Sequence, residues 1–300
     1  MRILCSLLVS FLLVTTVWAE PLRIFVPWGA GGPADISART LVQELARVGV
    51  EAIVINRPGA DGLIAINEIL SKKTDTNQLL FSTIGSTALA SAINEEYQER
   101  FKNFVPVVHA YTFYSAVVVN STLGIRSFAQ LTHALKTRSF TIASSGGQQG
   151  SLTQSIFGKN PNANLVPYQS DAQILPQLLG AQIDAAVISI GPTIMPHLNS
   201  GALIALATTR NTVVNGVPPL RDFGIDPVFA PHYVLYALSN MSPTAINQLN
   251  QQVMSVLSTA SMQEYVKRSN MITAPKTDPK SLMEQQQAMF AKLQRIQQTK

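Results

Sequence analysis

The chain has 300 residues, 46% of them hydrophobic, with 22 Lys and Arg against 17 Asp and Glu for a formal charge of +5. The basic residues are scattered without runs, which excludes the dense cationic surface of a nucleic-acid binder. One cysteine, Cys5, excludes a disulfide framework. At the start, Arg2 precedes the apolar run Ile3 to Val14, and Val17-Trp18-Ala19 offers a small-x-small cleavage site before Glu20. This pattern predicts a secretory signal peptide over residues 1–19 and export of the remainder. Cys5 would leave with it, so thiolate chemistry and cysteine-held zinc are also excluded. About 280 residues exceed one ordinary core and predict two lobes.

Arg23 to Val26 reads as a strand, and Ala38, Leu41, Val42 and Leu45 recur at helical spacing. Between them lies Val26-Pro-Trp-Gly-Ala-Gly-Gly-Pro-Ala-Asp35. Glycines there admit close backbone approach, Pro33 suits a first helical turn, and the free N–H groups of such a turn attract anions. Glu51 to Asn56 is a second strand, Ile64 to Lys72 a helix, and Leu79 to Ser82 a third strand running into a Thr83–Thr87 loop. This rhythm predicts an α/β sheet with parallel strands and a ligand at their carboxyl ends.

Phe104 to Asn120 is rich in strand formers, and Ser127 is a helix N-cap. Phe140 to Ala143 is a strand entering a polar Ser144-Ser145-Gly146-Gly147 loop. Leu165 to Tyr168, Ile183 to Ile190 and Leu203 to Ala207 are further strands, with a helix over 171–180. The rhythm of the first hundred residues thus recurs in the middle hundred. Beyond a strand at Val234 to Leu238, Ser242-Pro243 and Asp278-Pro279 each signal a helix start. The last helix carries Leu282, Gln286, Met289, Leu293 and Ile296, and its glutamine-rich remainder reads as a solvated face.

Little catalytic chemistry is available. No two of His109, His133, His197 and His232 have metal-ligand spacing, and no metal or cofactor site is expected. No Gly-x-Ser-x-Gly element is present for a serine hydrolase. Of the few acids, Asp35, Asp61, Asp171 and Asp184 stand in suggestive places, so a carboxylate pair of the glycosidase kind stays open. Gly29-Ala-Gly-Gly-Pro-Ala34 formally fits a dinucleotide loop, but the second strand ends in Asn56 where an acid is expected. Loops rich in Gly, Ser and Thr at strand ends predict a site that binds rather than transforms. Trp28 reads as a cleft wall. Tyr168 is placed either to pack or to line the cleft, and Ser189 lies near a strand end. Asp35, in a first helical turn, reads as a capping and loop-shaping acid, the alternative being a ligand contact.

These residues resemble the substrate-binding proteins of tripartite tricarboxylate transporters, the Bug or TctC-like receptors. Val26 to Arg39 is similar to that family's Pro-Phe-x-Ala-Gly-Gly-x-x-Asp-x-x-Ala-Arg signature, with Trp28 in the phenylalanine position. Asn56-Arg-Pro-Gly-Ala-Asp-Gly62, Val166-Pro-Tyr168, Leu178 to Asp184 and Pro196 to Ala207 follow in the family's order. Leu152, Ser170 and Ile188 depart from its usual histidine, glycine and aspartate. The resemblance implies a type II periplasmic binding protein fold, two α/β lobes closing over a ligand. It implies a periplasmic, monomeric, non-enzymatic receptor that takes a small organic acid and delivers it to membrane permease subunits. Lobe 1 is expected over 20–119 plus 232–300 and lobe 2 over 120–231. The expected ligand-binding residues are Trp28, Gly29, Ala30, Gly31, Gly32, Asp35, Thr83, Gly85, Ser86, Ser144, Ser145, Gly146, Tyr168 and Ser189. A sensor or adaptor role, and more remotely a secreted hydrolase, are the alternatives.

Overall fold

The computed structural model describes residues 20–227 and 232–298; the expected signal peptide lies outside them. In chain order the elements are β1 (Leu22–Val26), α1 (Pro33–Arg47), β2 (Ala52–Asn56), α2 (Leu63–Ser71), β3 (Gln78–Thr83), α3 (Ile84–Ile93), α4 (Glu95–Phe101) and β4 (Phe104–Thr112). There follow β5 (Tyr114–Asn120), α5 (Phe128–Ala134), β6 (Phe140–Ser145), α6 (Gln148–Phe157), β7 (Ala163–Tyr168), α7 (Asp171–Leu179), β8 (Ala185–Ile190), α8 (Met195–Asn199) and β9 (Leu203–Thr208). The chain ends with β10 (His232–Leu238), α9 (Pro243–Leu257), α10 (Ala260–Arg268), β11 (Ile272–Thr273) and α11 (Pro279–Gln298). Among the described residues no helix is long and apolar enough to cross a membrane.

Two sheets form, one in the order β11-β4-β10-β3-β1-β2 and one in the order β7-β6-β8-β5-β9. The expected parallel pairing holds for β1 with β2 and β3, and for β6 with β7 and β8. It fails at three strands, one of them the two-residue edge strand β11, antiparallel to β4. β5 enters the second sheet directly from β4, through Phe113 alone, and runs antiparallel to β8 and β9. β10 returns to the first sheet and runs antiparallel to β3 and β4. Helical crossovers return a strand parallel to the last. A strand arriving from the other sheet carries no such constraint, so both sheets are mixed.

Each sheet is covered on both faces, so its strands alternate between two cores. In β1, Ile24 and Val26 pack with Leu41, Phe81 and Leu249, whereas Phe25 packs with Ile66, Leu80 and Tyr236. In the second sheet Ile142 and Val187 pack with Phe128 and Leu131, and Ala186 and Ile188 pack with Ile174 and Leu178. Burying each large apolar side chain is worth about 1.5–3 kcal/mol. The caps read from sequence are made: Ser127 Oγ accepts from Gln130 N at 3.2 Å, and Ser242 Oγ from Ala245 N at 3.2 Å. The expected Thr83–Thr87 loop is instead the start of α3, with Thr83 as its N-cap accepting from Ser86 N at 3.0 Å. Ser144 and Ser145 likewise end β6 rather than forming a loop. In α11 Gln285 and Gln287 are exposed, as the sequence predicts for the glutamine-rich face, and Gln286 lies on the packed side with Leu282 and Leu293. Gln286 is buried, accepting from Tyr236 Oη at 2.7 Å and donating to Thr87 Oγ1 at 2.8 Å.

Candidate functional site

Four helices begin at one cleft between the sheets. α1 and α3 follow β1 and β3 of the first sheet, and α6 and α7 follow β6 and β7 of the second. Their first turns border two adjoining cavities. The inner one, about 30 Å³, is lined by Gly32, Pro33 and Ala34 of α1's start, by Thr83 and Ser86, and by Ser145, Gln149, Ser170, Asp171 and Ser189. Trp28, Phe113 and Tyr233 complete its wall. The outer one, about 430 Å³, shares Trp28 and Ser86 and adds Asp61, Gly146, Gly147, Gly150, Ser151 and Tyr168.

The opening loop is held in shape from behind. Asp35 Oδ2 accepts from Gly31 N at 2.9 Å, and Arg39 Nε donates to both carboxylate oxygens at 3.0 Å. Arg39 also donates to Asn56 Oδ1 at 3.1 Å, whose amide donates to the Trp28 carbonyl at 3.1 Å. The two sequence motifs are thus tied to each other. Burial opposes the Asp35 charge, but the hydrogen bonds from Arg39, Gly31 and Asn56 outweigh it and hold its carboxyl below the ordinary value. Gly31 has φ +77°, which a side chain would strain.

The second sheet's side carries its own acceptors. Asp171, at the start of α7, is buried between strand ends. It accepts from Ser145 Oγ at 2.8 Å and from Ser189 N at 3.0 Å. Burial pushes its carboxyl above the ordinary value, with those serine bonds acting the other way. Gln149 Nε2 donates to Ser189 Oγ at 2.6 Å. Gln148 reaches across to α3. With its amide oxygen facing the helix start, it accepts from Thr83 Oγ1 at 3.1 Å, Gly85 N at 3.2 Å and Ser86 N at 2.5 Å. A Cβ on Gly85 would stand 1.9 Å from the Gln148 amide, so the contact depends on that glycine. Gly147, with φ +64° and ψ −129°, turns the chain into α6.

Of the residues expected at the site, Trp28, Gly32, Thr83, Ser86, Ser145 and Ser189 line the inner cavity, and Gly146 and Tyr168 the outer. Gly29 lies against Ser170 across the cleft, where a Cβ would meet Ser170 Oγ at 3.2 Å. Gly85 is covered by Gln148. Ala30 and Gly31 are exposed, Asp35 sits behind the loop, and Ser144 is buried on the opposite face of β6 from Ser145. None of these last four borders either cavity. Sequence reasoning missed Gln148, Gln149, Phe113 and Tyr233. It noticed Asp171 as an acid without placing it. Among the described residues no group of three His, Cys, Asp or Glu can hold a metal ion.

Two covered sheets joined by crossing strands, with helix starts converging between them, define the two-lobed binding-protein class. The solved structure of the periplasmic binding protein BugD aligns at a TM-score of 0.82, with 19% identity over 93% of this chain and 97% of that one. MatC from Rhodopseudomonas palustris with bound malate aligns at 0.81, with 19% identity over 92% and 98%. BugT of Bordetella pertussis is 29% identical over 259 residues, 82% of this chain and 79% of that protein. The model of the tripartite tricarboxylate transporter family receptor matches residues 37–299, and the chain belongs to that family.

Proposed function

We propose that this receptor captures a small carboxylate-containing solute in the cleft and hands it to the permease of a tripartite tricarboxylate transporter. The observation that carries the reading is the convergence of four helix N-termini, two from each sheet, on one cleft. Each points a positive dipole end at what lies between them. Residues 20–113 with 232–298 would then form one lobe and 114–227 the other, so that β5 joins the second lobe rather than the first as expected from sequence; the lobes meet where β4 passes into β5 and where β9 returns to β10. The residues that meet the solute are those lining the two cavities, with Asp35, Gly31 and Gln148 shaping the walls. MatC, of like fold, holds malate, which agrees with a carboxylate ligand.

The protein would act in the periplasm, after loss of residues 1–19, as a monomer and without turnover. What favours a receptor over a hydrolase is the partnering of the cleft serines. Ser145 donates to Asp171 and Ser189 accepts from Gln149, so neither is paired with a histidine base. A thermal-shift screen of mono-, di- and tricarboxylates and amino acids tests the proposal. A solute at a hundred times its Kd adds about 2.7 kcal/mol of stability, which moves the melting point by about 5–10 °C for a protein of this size. Absence of any shift, together with turnover of an ester panel, would overturn it.

A further inference from the structure

A further cavity lies away from the cleft, beside β9, the edge strand of the second sheet. It encloses about 310 Å³ and shares no lining residue with the two cleft cavities. That size falls within the roughly 300–1,000 Å³ of small-molecule sites. Its floor is apolar. Ile190 of β8 and Leu203 of β9 belong to the core built around Ile174 and Leu178, and Met195 and Leu198 of α8 pack against that core. Its rim is polar. Asn270, from the turn between α10 and β11, closes it from the side of the first sheet, and Arg210 follows the end of β9.

Arg210 is the only charged side chain lining the cavity, and no Asp or Glu stands there to repel an anion. Its guanidinium carbon lies 4.3 Å from the centre of the Tyr114 ring. Arg39, Arg57 and Arg138 each meet an acid, whereas Arg210 pairs with no carboxylate among the described residues. Stacking on a ring fixes the plane of a guanidinium and leaves its edge donors free, and those donors match an anionic group. A stacked, unpaired guanidinium at the edge of an apolar cavity therefore suits a molecule with an apolar body and one acidic end.

We propose that this cavity is a second ligand site, separate from the cleft, for an amphipathic organic anion. The apolar body lies against Ile190, Leu198 and Leu203, and the acidic group accepts from Arg210. Neither statement rests on what the cleft binds.

Octanoate and octan-1-ol share a chain length and differ in charge, so calorimetric titration of the wild-type protein with each tests this. Octanoate should bind at least about tenfold more tightly. Arg210→Gln should remove that preference while leaving octan-1-ol binding within about twofold. Photolysis of a diazirine-bearing octanoate, followed by peptide mapping, should label residues 190–217. Absence of octanoate binding, or binding no tighter than that of octan-1-ol, would overturn the proposal whether or not the variant folds. Label confined to the cleft segments around Trp28 and Ser145 would overturn it too, as would a folded variant that keeps the full preference.

Discussion

The two sides of the cleft are built alike and equipped differently. Each is the carboxyl edge of a mixed sheet from which two helices start. On the first side Asp61 borders the outer cavity, and Asp35 is turned behind the loop, where Arg39 and the Gly31 N–H hold it charged. On the second side the acid, Asp171, is turned inward, with no cationic side chain against it and its carboxyl pushed up by burial. An aspartate in a first helical turn therefore has two fates. Paired from behind, it stiffens the loop that leads into α1. Placed in front, it borders the inner cavity and ties the ends of β6 and β8 together.

The cores behind the two sides should respond alike. Leu41→Ala behind the first sheet and Leu178→Ala behind the second each empty a fully buried site and should cost about 2–5 kcal/mol in urea unfolding. A large inequality would mean that one lobe depends on the other for stability. At the cleft the sides should part. Asp171→Ala strands the Ser189 N–H and the Ser145 hydroxyl, at about 1–3 kcal/mol. Asp35→Ala loses a loop anchor at about 1 kcal/mol.

The pH dependence of that comparison has opposite signs. Asp35 has a lowered carboxyl pKa, so its stabilisation is present above the unfolded value of 3.8 and is lost as pH falls through the folded value. Asp171 has a raised one, so its contribution is full below 3.8 and diminishes as pH rises through the folded value. Melting curves should therefore show Asp35→Asn costing more at pH 7 than in acid, and Asp171→Asn costing less at pH 7 than in acid. A third titrating group lies in the first sheet. Burial and the adjacent His232 push His109 down to about 3. It stays neutral in the fold, so wild-type stability should fall as pH drops from 6.5 toward 3, and His109→Gln should flatten that slope. The smallest expected effect is that of Gly85→Ala. The added methyl displaces the flexible Gln148 amide and should cost about 1 kcal/mol of cross-cleft hydrogen bonding.

The sequence made the helix starts and strand ends legible because caps and glycines act locally. Pro33, Ser127 and Ser242 all stand at a helix start or its N-cap, whereas Thr83, read as the start of a loop, is the N-cap of α3. α4 and α6 were missed because they carry little apolar periodicity. α6 buries Leu152 and Phe157 among glutamines and a glycine. The antiparallel insertion of β5 and β10 depends on which sheet a strand arrives from, which no local pattern encodes. The inward turn of Asp171 was hidden for a related reason. It depends on the ends of β6 and β8 standing side by side, 44 residues apart between Ser145 and Ser189. Ser144 and Ser145 are adjacent in sequence but face opposite sides of one strand, so only one of them borders the cleft.

Trp28 offers the most direct test. It is the only tryptophan in residues 20–300 and borders both cavities. Titrating the protein with an acid that raises its melting point should change Trp28 emission saturably, with one site per chain and the same Kd as calorimetry. Stabilisation without any change in Trp28 emission would place the solute elsewhere and contradict the account.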